Sequence, residues 1–292
     1  MERLCVFTAT YNRAYCIKDL YASLTNQTNG DFYWLVVDDG STDDTSELIS
    51  ELQAQGKIRI EYLRQENGGK QRAHNTGVDA CASPLFFCVD SDDTLTPNAI
   101  ELILNRWDAV GDDARIAGIV GLDGATSTKP IGNSMPRDNY TTTLWDLQYN
   151  EHHIGDVALT YRTSILKDYP FHVHPDEKFI AETYVYNQID QSYLLNVLDE
   201  ILIVCQYRPD GYTQNARKIT RENPHGYMRL KRMQIQYADS YLLKFKSTVL
   251  YLVGCIFAGQ GIRSGIKDAP SRVLATLAAP LALILAQTEF RK

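Results

Sequence analysis

The run Asp90-Ser91-Asp92-Asp93 follows directly on an apolar segment, Leu85-Phe86-Phe87-Cys88-Val89. Alternate carboxylates at a strand end can reach one hard divalent cation, which takes oxygen ligands and leaves room for phosphate oxygens. A cation held there neutralises charge as it develops on a diphosphate leaving group. The same aspartates could instead only favour the N-terminus of the next helix through its dipole. Asp38-Asp39-Gly40-Ser41 carries the same ambiguity, because Asp-Gly-Ser after a strand is also a turn in which Ser41 or Thr42 caps a helix. Tyr11 and Asn12 stand in a first loop of similar character. Asn67-Gly68-Gly69-Lys70 reads either as a loop that lets phosphate approach a helix N-terminus, with Lys70 adding positive charge, or as a plain turn.

These groups need elements that bring them together, and the first half of the chain supplies a regular alternation. Arg3 to Thr8 reads as a buried strand and Ala14 to Asn26 as a helix with Ile17, Leu20, Tyr21 and Leu24 at helical spacing. Phe32 to Val37 and Ile58 to Leu63 read as strands, Thr42 to Gln55 and Lys70 to Ala80 as helices, and Leu85 to Val89 as a fourth strand. Thr96 is the expected N-cap of the following helix, with Pro97 at its first position. Strand and helix in alternation imply right-handed crossovers on a mainly parallel sheet covered on both faces. Ligands in such sheets bind beyond the carboxyl ends of the strands. Thr8 to Asn12, Asp38 to Ser41 and Asp90 to Asp93 each follow a strand's last apolar residue, so three polar clusters are expected on one rim.

After about Gly121 the alternation gives way to a stretch rich in Thr, Asp, Asn and Tyr through Asn150, read as irregular. Asp156 to Tyr161 then reads as a strand, Phe179 to Ile189 as a helix, and Val197 to Tyr207 as a strand ending in Arg208-Pro209-Asp210-Gly211.

The series Thr8-Ala9-Thr10-Tyr11-Asn12, Asp38-Asp39-Gly40-Ser41, Asn67-Gly68-Gly69, Ala73-His74-Asn75-Thr76-Gly77 and Asp90-Ser91-Asp92-Asp93, in this order, resembles the family 2 glycosyltransferases. The resemblance is dense over residues 3–110. It implies an α/β fold of the GT-A type: a mainly parallel central sheet flanked by helices, here with a helical C-terminal extension. It also implies an inverting transfer of a sugar from a nucleotide diphosphosugar, a UDP-sugar first, with Mn or Mg as cofactor. Carried over by position, Tyr11 and Asp39 are base contacts with Thr8 lining the same pocket, Asp90 is the ribose contact beside Ser91, and Asp92 is the metal ligand. Asp93 holds the loop or acts through water. The family often has Arg where His74 stands, so Lys70 or Arg72 is expected to meet the phosphates.

An inverting transfer needs a carboxylate to take the proton of the acceptor hydroxyl while the sugar carbon is attacked opposite the diphosphate. The segment Glu177-Lys178-Phe179-Ile180-Ala181-Glu182-Thr183-Tyr184 resembles the region where family members carry that base, which selects Glu182, with Thr183 in place of the usual second acid. Asp156 is the alternative. A second metal site built on His152, His153, His172 and His174 is not expected, because nothing pairs them with further ligands at zinc spacing.

The 292 residues, 44% hydrophobic and 22% charged, have an ordinary globular composition, which excludes collagen, coiled-coil and low-complexity readings. The net charge of −7 hides a split: residues 1–200 carry 15 Lys and Arg against 31 Asp and Glu, whereas the remainder carries 14 against 5. An acidic front argues against nucleic acid as a partner. The basic rear, with tyrosines and apolar residues among Arg and Lys from His225 to Lys246, suits an amphipathic helix on an anionic membrane surface. The apolar runs Val249 to Gly259 and Val273 to Ala286, 11 and 14 residues long, fall short of the roughly 20 that span a bilayer. Six scattered cysteines without a CxxC pair fit a reducing, cytoplasmic compartment, and no signal peptide is expected at the N-terminus. The expected organisation is a transferase domain over 1–223, with a nucleotide-binding half to about 120 and an acceptor half to 223, followed by an attachment region over 224–292. The acceptor is a saccharide or lipid-linked hydroxyl in surface polysaccharide or glycoconjugate assembly, placing the chain peripherally on the inner face of the plasma membrane. A Rossmann dehydrogenase is excluded by the lack of GxGxxG in the first loop, and a nucleotidyltransferase by the lack of a Gly-rich basic one. A non-catalytic nucleotide-sugar-binding subunit or scaffold docked at the membrane remains the alternative, kept open by Thr183.

Overall fold

Phe32-Tyr33-Trp34-Leu35-Val36-Val37 is apolar without alternation, the mark of a strand covered on both faces, and every residue of β2 (Phe32–Asp38) is buried. The computed structural model describes residues 2–206 and 215–288. The turn expected at Arg208 to Gly211, with Tyr207 before it, lies outside them. Residues 1–170 and 185–206 form one compact unit, and residues 171–184 and 207–292 a second.

In the first unit β1 (Leu4–Thr10), α1 (Ile17–Thr25), β2, α2 (Thr45–Ala54), β3 (Ile60–Arg64), α3 (Lys70–Ala80) and β4 (Leu85–Cys88) follow the expected alternation. Next come β5 (Thr94–Leu95), α4 (Ala99–Val110), β6 (Ile116–Thr126), β7 (Lys129–Pro130), β8 (Thr141–Thr142), α5 (Leu144–Tyr149), β9 (Val157–Arg162) and α6 (Thr163–Asp168). The described strands form one sheet in the order β3-β2-β1-β4-β9-β6-β10-β5, where β10 is Leu194–Val204; β7 pairs with β6 and β8 with β10. The β1–β2, β2–β3, β1–β4 and β6–β10 pairs are parallel. β9 runs antiparallel to both β4 and β6, and β5 antiparallel to β10, so the sheet is mainly parallel, as expected.

One face of the sheet packs Leu4, Val6, Trp34 and Val36 against Ile17, Leu20 and Leu24 of α1, Leu48, Ile49 and Leu52 of α2 and Ile100, Ile103 and Leu104 of α4. Each fully buried Leu or Ile contributes about 1.5–3 kcal/mol. The other face carries Phe7, stacked on Phe86 at 4.9 Å and met edge-on by His74 of α3 at 5.5 Å.

Three expectations change here. Thr96 does not cap α4: its hydroxyl donates to the Ile201 carbonyl (2.9 Å), which ties the β4–α4 loop to β10, and Asn98 takes the cap position without a side-chain bond. The stretch read as irregular from Gly121 begins inside β6, whose first nine residues are buried. The expected helix from Phe179 is shorter, since α7 spans Thr183–Ile189.

The second unit contains α8 (Ala216–Glu222), α9 (Pro224–Tyr237), α10 (Tyr241–Phe257), α11 (Gly261–Asp268) and α12 (Arg272–Thr288). The single helix expected from His225 to Lys246 is two, because the chain turns extended at Ala238 and Ser240 restarts it by accepting from the Leu243 amide (3.2 Å). α12 is inverted relative to an ordinary surface helix. Its alanines Ala275, Ala278 and Ala282 are buried in a cluster with Val249, Leu252 and Val253 of α10. Its larger residues Val273, Leu277, Leu281 and Ile284 are exposed, Val273 by 75% and Leu277 by 67%. Among the described residues, no helix is long and apolar enough to cross a membrane.

Candidate functional site

From β1 the chain passes to β2 and β3 on one side and then returns to place β4 on the other side of β1. The strand order therefore reverses between β1 and β4, and in an open parallel sheet the crevice beyond the strand ends at such a point is where ligands bind. The loops after β1, β2 and β4 meet there. The Asp39 amide donates to the Thr10 carbonyl (2.8 Å). Asn12, at φ +54°, donates from its amide to the Ser41 hydroxyl (2.9 Å) and accepts at Oδ1 from the Thr42 amide (2.7 Å), so the first loop fixes the second. Tyr11 projects from this junction and is exposed.

Asp39 is buried and organises a third loop. Its Oδ1 accepts from Gln65 Nε2 (2.7 Å) and the Gly68 amide (2.9 Å), and its Oδ2 from the Gly69 amide (2.7 Å). A carboxylate offers about four lone-pair sites, so Oδ2 keeps one for a ligand. Gly69, at φ +96°, turns the chain directly into α3, a conformation that a side chain would strain. This sets Lys70 at the helix start, its Nζ 2.5 Å from Asp90 Oδ1. Arg72 folds back over the loop and donates to the Gly68 carbonyl (2.6 Å).

The far side of the rim is acidic. Asp93 accepts from the Gln206 amide (3.0 Å), yet burial and the charges of Asp90 and Asp92 push its carboxyl up to about 7. Burial, with the charges of Asp93, Asp156 and Asp90, pushes Asp123 of β6 well above the usual carboxylate range. Among the described residues, Asp123 Oδ1 is buried without a hydrogen-bond partner. Burial, with the charges of Asp123, Asp93 and Asp156, pushes the Cys205 thiol up. Carboxylates that raise one another in this way, with a buried oxygen unsatisfied, fit a hard cation, which takes oxygen ligands and relieves the repulsion. Asp123 escaped the sequence reading, although an acid inside the apolar run from Ile116 to Leu122 is a usable signal.

The other expected residues divide. Ser91 is buried, with its carbonyl near Cys16 Sγ (3.7 Å), and Asp92 is half-buried beside it. Asp156 is exposed just before β9, its carbonyl accepting weakly from the Asp123 amide (3.4 Å). Thr8 does not reach the rim: it is fully buried on the same strand face as Leu4 and Val6, and its hydroxyl accepts from the Trp34 indole (3.0 Å). His74 is enclosed by Phe7 and Phe86, and burial with Lys70 nearby depresses it to about 3, so it is a neutral packing residue. Glu182 is half-buried in the second unit, one residue before α7. In that unit one ligand atom each of His174, its near neighbour Glu177 and the distant His225 lie within 4.8 Å of one another.

A mainly parallel sheet with an acidic rim at its reversal point is the arrangement in which open α/β sheets bind ligands. Residues 5–170, more than half of the chain, match the model of glycosyl transferase family 2, and the chain belongs to that family. It is 36% identical over 102 residues to chondroitin synthase of Escherichia coli, covering 35% of this chain and 15% of that one. It is 24% identical over 248 residues to the poly(ribitol-phosphate) beta-N-acetylglucosaminyltransferase TarS of Staphylococcus aureus, covering 82% of this chain and 41% of TarS. The chain thus spans less than half the length of these relatives. Among solved structures, TarS 1–349 in complex with UDP-GlcNAc shares the fold at TM-score 0.65 and 20% identity, covering 99% of this chain and 89% of that one. The mannosyltransferase PcManGT of Pyrobaculum calidifontis, in complex with GDP-Man and Mn2+, shares it at TM-score 0.56 and 15% identity, covering 99% and 82%.

Proposed function

We propose that the chain is a metal-dependent inverting glycosyltransferase that moves a sugar from a UDP-sugar to a hydroxyl acceptor. The observation that carries this reading is the rim itself, where Asp39 anchors the loop into α3, Lys70 faces Asp90 at 2.5 Å, and burial with neighbouring carboxylates pushes Asp93 and Asp123 above the usual carboxylate range. In this reading Tyr11 covers the base and Asp39 accepts from it through the remaining site on Oδ2. Asp90 accepts from a ribose hydroxyl beside Ser91, while Lys70 and Arg72 meet phosphate oxygens. Asp92 would hold a divalent cation, Mn or Mg, whose contribution is to neutralise charge on the departing diphosphate.

Glu182 is the proposed base, with Asp156 as the alternative. The acceptor oxygen attacks the anomeric carbon from the side opposite the diphosphate, and its proton passes to the carboxylate. The carbon–oxygen bond to the diphosphate breaks, leaving its electron pair on the phosphate oxygen. UDP-GlcNAc is the first donor to try, since it is the ligand of the TarS structure with which the fold is shared.

The acceptor side of the proposal is a saccharide or lipid-linked hydroxyl in surface polysaccharide assembly, reached from the inner face of the plasma membrane. Residues 224–292 serve as the attachment region on anionic lipid. Support comes from the exposed stripe Val273, Leu277, Leu281 and Ile284 of α12 and from Arg272 at its start, since large exposed apolar stripes on a soluble surface mark contact sites.

Calorimetric titration of UDP, GDP and UDP-GlcNAc, each with and without manganese, tests the reading. UDP binding should tighten at least about tenfold with manganese, equivalent to about 1.4 kcal/mol, and Asp92→Ala should lose that dependence. Absence of nucleotide binding overturns the proposal. Binding with neither transfer nor hydrolysis of any sugar selects the non-catalytic subunit instead.

A further inference from the structure

The second unit contains a cluster that the transfer reaction does not use. Glu177 is 4% exposed, and its Oε1 and Oε2 accept from the backbone amides of His225 (2.7 Å) and Gly226 (2.8 Å) in the first turn of α9. It does the work of an N-cap side chain for a helix whose own cap residue, Asn223, makes no such bond and instead accepts from the Lys178 amide (2.9 Å). His225 Nδ1 lies 2.9 Å from the same Glu177 Oε1. His174 stacks on His225 with ring centroids 4.1 Å apart and planes within 9°. The Asp176 backbone amide donates to His174 Nδ1 (3.3 Å).

We propose that His174, Glu177 and His225 form a binding site for a zinc-class divalent cation, which staples residues 174–177 to the first turn of α9. The three ligand atoms lie within 4.8 Å of one another. Imidazole nitrogen and carboxylate oxygen each sit about 2.1 Å from zinc, so neighbouring ligands of one tetrahedral ion are about 3.4 Å apart. The 2.9 Å between His225 Nδ1 and Glu177 Oε1 opens by about half an ångström to reach that edge. Binding exchanges the proton between these two atoms for the cation, and the proton leaves to solvent. An imidazole binds a cation through the lone pair in its ring plane, so His174 turns out of its stack on His225 to join the ion; two imidazoles and one carboxylate then leave room for water as a fourth ligand, the donor set of open zinc sites. Nitrogen donors also separate this site from the all-oxygen rim around Asp92, because magnesium and manganese favour oxygen whereas imidazole suits zinc, nickel and copper. Glu182 lies five residues beyond Glu177 in the same unit. A filled site therefore restrains the segment that carries the proposed base; this consequence rests on the transferase reading, while the site itself does not.

The test uses the full chain, stripped with chelator, in an Asp92→Ala background that disables the rim site. Titration with zinc alone should show one equivalent bound, cobalt should give visible ligand-field bands, and zinc should slow hydrogen exchange in peptides spanning 171–184 and 224–230. His174→Phe keeps the ring stack and removes the nitrogen ligands, and His225→Gln keeps a donor toward Glu177. Each should weaken zinc binding at least about tenfold, the loss caused even by removing an outer partner of a ligand, with helical circular dichroism unchanged. Undiminished affinity in His174→Phe, or binding without slower exchange in these peptides, overturns the proposal. Because the readouts need neither nucleotide nor sugar, failure here and failure of the transferase reading are distinguishable.

Discussion

Replacing Asp39 by Asn alters one atom in the loop that leads into α3, and its effect can be worked out bond by bond. The carboxylate accepts from Gln65 Nε2, the Gly68 amide and the Gly69 amide at 2.7, 2.9 and 2.7 Å. The amide of Asn keeps one oxygen, which retains the Gln65 and Gly68 donors. Its NH2 group then faces the Gly69 N–H, donor against donor. One hydrogen bond to a charged group is lost, about 1.5–3 kcal/mol, so opening of Gly69 becomes roughly 10- to 100-fold easier at about 1.4 kcal/mol per decade. Hydrogen exchange followed by mass spectrometry in peptides spanning 65–73 reads this directly, with α4 peptides as the internal control. UDP affinity should fall in parallel, because the same loop presents Lys70. Exchange within about threefold of wild type would refute the view that Asp39 builds this loop.

Asp93 holds its proton to about 7 in the folded chain. Between about pH 4 and that value the native state binds more protons than the unfolded chain, so this group's contribution to stability falls as pH rises. Buried neutral His74, depressed to about 3, contributes the opposite slope between there and its ordinary value. The difference in urea midpoint between wild type and Asp93→Asn isolates the first effect: it should move against wild type as pH rises and flatten in saturating manganese, and a flat difference without manganese contradicts the electrostatics described. Glu182→Gln should leave UDP binding unchanged while abolishing transfer; substantial remaining transfer moves the base to Asp156. Leu277→Glu with Ile284→Glu, both at exposed positions, should halve or more the recovery of the full chain on floated vesicles rich in phosphatidylglycerol, and equal recovery removes the membrane role.

The first unit was legible where local signals agree. α3 spans Lys70–Ala80, the residues expected, because a glycine pair must end the preceding turn. β6 was not legible because glycine interrupts it. A Cβ on Gly118 would stand 1.9 Å from the Thr160 carbonyl oxygen of β9, and one on Gly121 2.5 Å from Leu202 Cδ1 of β10. Glycine there reflects close approach by neighbouring strands, a tertiary cause that resembles a loop in one dimension. Thr8, given a pocket role by the resemblance, stands on the strand face that turns into the core, where its hydroxyl accepts from the Trp34 indole, and the acidity of Asp123 matters only beside Asp93 and Asp156. The pairing of Glu177 with His225 joins residues 48 apart and leaves no spacing motif.

The antiparallel insertion of β9 and the late arrival of β10 also set an order of assembly on the ribosome. β1 to β4 and their helices pair with near neighbours and can consolidate as the chain emerges, since short-range contacts close with little loop entropy. β6 cannot. Its partners β9 and β10 follow it, Thr96 waits for Ile201, 105 residues on, and Asp93 for Gln206, 113 residues on. Until then an eleven-residue, largely apolar strand has an open edge, the feature from which unintended pairing begins. Shortened chains that stop between β6 and β10 should therefore accumulate as aggregates, while slower translation after residue 126 should have little effect on β1 to β4 and their helices, already folded behind it.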